Sequence, residues 1–289
     1  MKTLIFSLYI LLFLRINIQG QTQIQLRRFM QPGPSAVNET QYGNNSKTGH
    51  YANAGDAKIY YEVYGKGKPI VILHGGIFGS TYEMYQFIDS LSKYYQVIAV
   101  STRGHGKSEL GTKPISYEQK ANDVMTVINA VTKDSVIILG FSDGGYAGYK
   151  IASMYPQRVR KLIAIGATEI YPGLRDFTFD AKQGVALDSL YWKQQFTLMP
   201  EPGRLQEMFT LLGNMYNQLT LDKDFFQTIQ CPVLVMSGDR DHGNPPARVV
   251  STAQMIPHHQ IGIIPNSTHG VFLENFPAVW ACIVPFLKQ

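Results

Sequence analysis

Val136-Ile137-Ile138-Leu139-Gly140-Phe141-Ser142-Asp143-Gly144-Gly145 decides how this chain is read. A short apolar run ends at a glycine, a serine follows within a turn, and a glycine pair opens a stretch with helical character to Tyr155. The pattern G-x-S-x-G would arise by chance ~0.1 times in a chain of this length at ordinary Gly and Ser frequencies, so the pattern alone is weak. Its setting is the stronger signal. Strand, sharp turn and helix together expose a serine hydroxyl at the carboxyl edge of a parallel sheet, where open α/β folds bind ligands. Ser142 is therefore the candidate nucleophile.

A serine hydroxyl attacks poorly unless a base takes its proton. Of the seven histidines, His269 fits that role best. It follows the apolar run Ile261 to Ile264 and precedes a final helical stretch, on the side of the sheet where Ser142 is expected. His258 and His259 precede that run, so they belong at the opposite edge. An acid should lie between nucleophile and base, after another strand. Val233 to Ser237 is that strand, and Gly238-Asp239-Arg240-Asp241 follows it. Asp241 is favoured as the acid, with Asp239 binding backbone amides in the turn. Acyl transfer also needs donors for a developing oxyanion. The amide of Gly76, in His74-Gly75-Gly76-Ile77, and the amide of Asp143 are the expected pair. His74 is read as a brace for that loop. Arg103-Gly104-His105-Gly106-Lys107-Ser108 ends like a phosphate-binding loop, but Ser101 stands where that motif needs glycine. It is read as a structural turn.

Outward from the elbow, short apolar runs recur at Pro69 to Leu73, Val97 to Val100, Leu162 to Ile165, Val233 to Met236 and Ile261 to Ile264. Runs of this kind suggest strands buried on both faces, as in a parallel sheet. Ile59, Tyr61 and Val63 alternate with more polar neighbours, as in a half-buried strand. Stretches at Thr81 to Leu91, Tyr117 to Val131, Gly144 to Tyr155, Ala247 to Met255 and Glu274 to Leu287 have the length of crossover helices. The alternation predicts an α/β fold with helices on both faces of the sheet. One interval breaks it. Residues of about 170–225 carry many aromatic and methionine side chains but no clear strand, and are read as a helical cap over the carboxyl edge.

Composition is that of a globular protein, 45% hydrophobic and 16% charged. The net charge of +5 falls to +3 without Lys2 and Arg15, too little and too scattered for a nucleic-acid partner. Lys2, the apolar stretch Leu4 to Leu14 and Arg15 suggest a signal peptide over residues 1–20, and so a secreted or periplasmic protein with no stable membrane anchor after cleavage. Residues 21–48 read as a flexible leader, and residues 49–289 as the folded domain. Cys231 and Cys282 are read as two buried free thiols ahead of one bridge. The cysteines and histidines lack ligand spacing, so no metal or other cofactor is expected.

Taken together, His74-Gly75-Gly76, the Arg103 to Ser108 turn, Gly140 to Gly145, Gly238 to Asp241 and His269 stand in the order and spacing of the α/β-hydrolase superfamily, which the chain resembles from about residue 50 to its end. The resemblance implies an eight-stranded, mostly parallel sheet, a Ser–His–Asp triad and a cap after strand six. Ser101 departs from the Asp that many relatives carry two residues before the Arg-Gly turn. Ser142 argues against the dehalogenases and epoxide hydrolases of the superfamily, which use Asp there. The elbow is similar to that of valacyclovir-hydrolase-like esterases, in which the Asp beside the nucleophile can attract a substrate amine. Carried to this chain, that residue is Asp143; a solvated turn carboxylate is the competing reading. The function expected is hydrolysis of a small-molecule carboxylic ester or lactone through an acyl-enzyme. An amidase or peptidase, a carbon–carbon bond hydrolase and a non-catalytic receptor are the alternatives.

Overall fold

The computed structural model describes residues 25–33 and 39–289. The expected signal peptide lies outside the described residues. Eight strands form one sheet: β1 Gly49–Asn53, β2 Lys58–Tyr64, β3 Lys68–Leu73, β4 Tyr95–Val100, β5 Val136–Phe141, β6 Val159–Ile165, β7 Val233–Gly238 and β8 His259–Ile264. Their order is β1-β2-β4-β3-β5-β6-β7-β8. Pairing is antiparallel from β1 to β2 and from β2 to β4, and parallel across the remaining strands. The helices are α1 Tyr85–Leu91, α2 Tyr117–Val131, α3 Asp143–Met154, α4 Ala181–Leu187, α5 Ser189–Leu198, α6 Leu205–Gln218, α7 Lys223–Phe226, α8 Pro246–Met255, α9 Val271–Glu274 and α10 Phe276–Lys288.

Side chains alternate across a strand, so the central strands feed two cores. Val71, Leu73, Ile98, Val100 and Ile138 pack with Val124 and Ile128 of α2, Ala147 and Ile151 of α3, and Val249 of α8. Ile70, Ile72, Val97, Ile137 and Leu139 pack on the other face with Phe87 and Ile88 of α1 and Val279, Ile283 and Phe286 of α10. Burying each such aliphatic or aromatic side chain is worth about 1.5–3 kcal/mol, which makes the sheet a rigid platform for what its edge carries. The Ser116 side chain caps α2 by accepting from the Gln119 amide at 3.1 Å, and the Asn275 side chain caps α10 by accepting from the Ala278 amide at 3.3 Å. The helix expected from Glu274 to Leu287 is α10, which this cap starts at Phe276; the short α9 before it was not expected. Helices α4 to α7 occupy the interval between β6 and β7, tied at its base by the bridge Ile170–Leu221.

Three expectations need correcting. Residues 25–33 and 39–48 have no regular strand or helix before Thr48, but they are not a loose leader. Leu26 and Tyr42 are buried, and Phe29 stacks on Phe78 with ring centroids 4.2 Å apart. Strand β2 is not half-buried either. The face expected to meet water carries Tyr60 and Glu62, and this segment covers it: the amides of Gly43 and Asn45 donate to the buried Glu62 carboxylate at 2.8 and 2.7 Å. Conversely, β8 is the sheet edge, and Ile261 is 41% exposed despite its place in an apolar run. Cys231 and Cys282 are both free, the first buried and the second half-buried. Among the described residues no helix is long and apolar enough to cross a membrane.

Candidate active site

Strand β5 runs straight into α3 through Ser142, whose backbone sits at φ 52 and ψ −114. A serine held at positive φ is strained by about 1–3 kcal/mol. Neighbouring bonds hold it there: the Ser142 amide donates to the Ile165 carbonyl on β6 at 2.7 Å. Gly144 lets α3 start this close to β3, since a Cβ at that position would strike the Leu73 and His74 carbonyl oxygens.

The loop after β8 brings His269 over this turn. Its Nε2 lies 2.9 Å from Ser142 Oγ, and its Nδ1 lies 2.7 Å from Asp241 Oδ2. Asp241, not Asp239, reaches the histidine. Its Oδ1 also accepts from the amides of Gly243 and Asn244 at 2.9 and 3.0 Å, and its Oδ2 accepts from Asn244 Nδ2 at 3.2 Å. Burial pushes the Asp241 carboxyl up, but the bonds and charge of His269 and the Asn244 donors outweigh it and hold the group below its ordinary range. Asp239 instead accepts from the Ser267 amide at 3.1 Å, bracing the turn that delivers His269.

Opposite the serine stands the loop after β3. Among the described residues nothing accepts from the amide of Gly76 or from that of Asp143, and both residues line the same cavity as Ser142. His74 is buried below them. Its Nδ1 bonds the Gly75 carbonyl at 2.6 Å and its Nε2 accepts from the Thr102 amide at 3.0 Å, which assigns the neutral Nδ1–H form. Burial takes its pKa down to about 4. Glu83 holds the loop from the other side, accepting from the Gly75 amide at 2.7 Å, and burial raises its pKa to about 7. The Arg103 turn is structural: the buried guanidinium is clamped between Asp123 at 2.8 Å and Asp56 at 2.9 Å. Ser101 bonds Thr81 through their hydroxyls at 2.9 Å.

The cavity is about 190 Å³ and is roofed by the cap, with Ile170, Phe177, Phe179, Tyr216 and Leu219 above and Phe78 at one side. Tyr216 sets its buried hydroxyl against Asp143 and so close to Gly76 that a Cβ there would collide with it.

Asp143 itself is neither solvated nor free for a substrate amine. Its carboxylate is 3% exposed and bonds Lys120 Nζ and the Tyr117 hydroxyl, the latter at 2.8 Å. Burial raises this carboxyl, and the Lys120 charge with both bonds brings it below its ordinary value. Lys120 and Tyr117 were not singled out in the sequence, though a signal was there. Tyr117, Ala121, Val124 and Ile128 form the buried stripe of α2, and Lys120 lies on that stripe. Arg175 and Tyr146 also line the cavity, and no motif points to either. Among the described residues no three His, Cys, Asp or Glu side chains gather where they could hold a metal ion.

With sheet, cap and edge constellation in view, comparison with known proteins places the chain. The profile of the alpha/beta hydrolase fold family matches residues 68–205. The RutD protein of Azorhizobium caulinodans is 31% identical over 139 residues, 48% of this chain, and the match spans 52% of that relative's length. Serine hydrolase BPHL of Homo sapiens is 25% identical over 259 residues, covering 84% of this chain and 85% of that one. Among solved structures, the enol-lactonase from Burkholderia xenovorans LB400 superposes with a TM-score of 0.70 at 21% identity, covering 83% of this chain and 100% of that one. The chain has the α/β-hydrolase fold, and its residues 68–205 match that family's profile.

Proposed function

We propose that the protein is a serine hydrolase that cleaves a small carboxylic ester or lactone through an acyl-enzyme. The observation that carries this reading is the hydrogen-bonded line from Ser142 through His269 to Asp241, opening on a cavity into which two unoccupied amides also lead. With Nδ1–H donated to Asp241, the lone pair on His269 Nε2 accepts the Ser142 hydroxyl. His269 takes that proton as Oγ attacks the carbonyl carbon. The Gly76 and Asp143 amides bind the oxyanion, where each donor is worth on the order of 10²–10³ in rate. The tetrahedral intermediate collapses, and His269 gives the proton to the leaving alkoxide. Water, deprotonated by the same nitrogen, then releases the acid. Asp241 keeps the imidazole in its tautomer and stabilises the imidazolium. The name of the human relative, a serine hydrolase, supports this reading. The run from Leu4 to Leu14 supports export, with the enzyme acting outside the cytoplasm.

The test is turnover of p-nitrophenyl acetate and butyrate by wild type, Ser142→Ala and His269→Ala, with fluorophosphonate labelling in parallel. Wild-type turnover lost in both variants, with the label on Ser142, is the expected result. A wild type that neither turns over these esters nor takes the label would sink the proposal in favour of a binding protein.

A further inference from the structure

We propose that this cavity selects substrates bearing a carboxylate, recognised by Arg175 together with the hydroxyl of Tyr146. The inference rests on the reading of Ser142 as nucleophile for where the ester sits, and names the class of substrate.

Asp143 and Arg175 are the two formally charged side chains that line the cavity. The Asp143 charge is balanced by buried Lys120, which is not among the lining residues, so it offers no net attraction to a cation. Arg175 has no carboxylate partner among the described residues. Its Nη2 donates to the Gly243 carbonyl and to Asn244 Oδ1, the latter at 3.3 Å. Apart from the neighbouring Tyr146 hydroxyl, its Nε and Nη1 have no acceptor among the described residues. These N–H groups lie on opposite sides of the guanidinium, so each can offer a carboxylate oxygen a single charge-assisted bond. The guanidinium lies 5.9 Å from the centroid of Phe177, a roof residue, which fixes its direction.

Arg175 is not simply the counter-ion of the candidate acid. Asp241 has its oxygens occupied by His269, Gly243 and Asn244, and Asn244 stands between the two charges. The second donor comes from another element. Tyr146 comes from α3, is 6% exposed and lines the cavity, and among the described residues its hydroxyl proton has no acceptor. Burial raises its pKa, and the Arg175 charge together with hydrogen bonds from the Thr168 amide and Arg175 pulls the other way. A guanidinium cannot accept, so the tyrosine proton has no taker there. A buried hydroxyl proton without an acceptor is costly, and a carboxylate oxygen would relieve it. Ile77, Phe78, Ile170, Phe177, Phe179 and Leu219 give the cavity apolar wall, and the volume of about 190 Å³ limits the substrate to a short chain. A monoester of a short dicarboxylic acid, or a lactone carrying a carboxylate, has this chemistry. The preference is opposite in sign to the amine attraction that the elbow resemblance implies for Asp143.

Binding to the Ser142→Ala protein tests this without requiring turnover. Calorimetry would compare monomethyl glutarate, methyl valerate and methyl 4-(trimethylammonio)butyrate, similar in length and different in charge. The anion is expected to bind at least about tenfold more tightly than the neutral ester, the worth of one charge-assisted contact. Arg175→Met in the same background should bring that ratio close to one, and Arg175→Lys should keep part of it. Reading a ratio within each variant cancels any general loosening of the Gly243 loop. Equal affinities, tighter binding of the cation, or a preference that survives Arg175→Met would overturn the proposal. If Ser142-intact protein bound with this preference yet hydrolysed neither glutarate nor valerate ester, the hydrolase reading would fail and anion recognition would stand.

Discussion

The floor and the roof of the cavity are built from different materials. The floor is backbone: the Ser142 turn, the Gly76 loop and the amides they present, set on strands packed on both faces. The roof is side chain: Phe177, Phe179 and Tyr216, borne by a loop and by α6 of the cap. A backbone site tolerates almost no displacement, because its donors are fixed by the peptide geometry of the strands. A side-chain roof can be resized one residue at a time. Under the proposed function, the difference assigns reaction geometry to the floor, and substrate size and charge to the roof and Arg175.

The comparison breaks hardest at Asp241. Asp241→Asn should keep the fold and lower kcat/KM for a short ester by about 10⁴, because the amide favours the wrong imidazole tautomer. Circular dichroism with ester turnover checks both halves. Lys120→Met comes next and acts on stability. It leaves the buried Asp143 carboxylate without its counter-ion, at a cost of about 3–5 kcal/mol in urea unfolding, and adding Asp143→Asn should recover most of that loss.

A pH-dependent effect is expected from Glu83. Its folded pKa, about 7, lies above its ordinary value. The stability it contributes is therefore complete below about 4.5 and is lost as pH rises through about 7. Glu83→Gln should remove that slope, read as a smaller difference in Tm between pH 5 and pH 8. The smallest effect belongs to the roof. Phe179→Ala should raise KM for a short neutral ester by roughly tenfold while kcat stays within about twofold, since the lost contact binds ground and transition states alike. A large fall in kcat there would end the division between floor and roof.

The same division explains what could be read in the sequence. The floor leaves residue-type signatures, because a positive-φ serine, a glycine under a carbonyl and an acid followed by a base must occur in a set order. Ser142, Asp241 and His269 could thus be named and are brought together, and Gly76 and Asp143 stand beside them. Most sheet strands and the α2 boundaries were equally legible from apolar runs. Elements defined by partners far along the chain were not. Strand β1, Gly-His-Tyr-Ala-Asn, has no apolar run, and exists through its ladder with β2. The segment before it is rich in glutamine, yet Leu26, Phe29 and Tyr42 find distant hydrophobic partners. Lys120 looked like any helix lysine until Asp143 arrived from another element. Edge position is likewise set by topology, so Ile261 and Ile263 read as buried and are not.

The backbone of Ser142 carries one consequence for how such a chain would drift over time. The conformation at φ 52 is one that glycine adopts at little cost and serine does not. A lineage released from the need for a nucleophile would gain stability by exchanging Ser142 for glycine, and nothing in the packing of α3 would resist it. Retention of serine at that position across descendants of this gene is therefore a record of continued selection for chemistry, readable by counting which residue survives there.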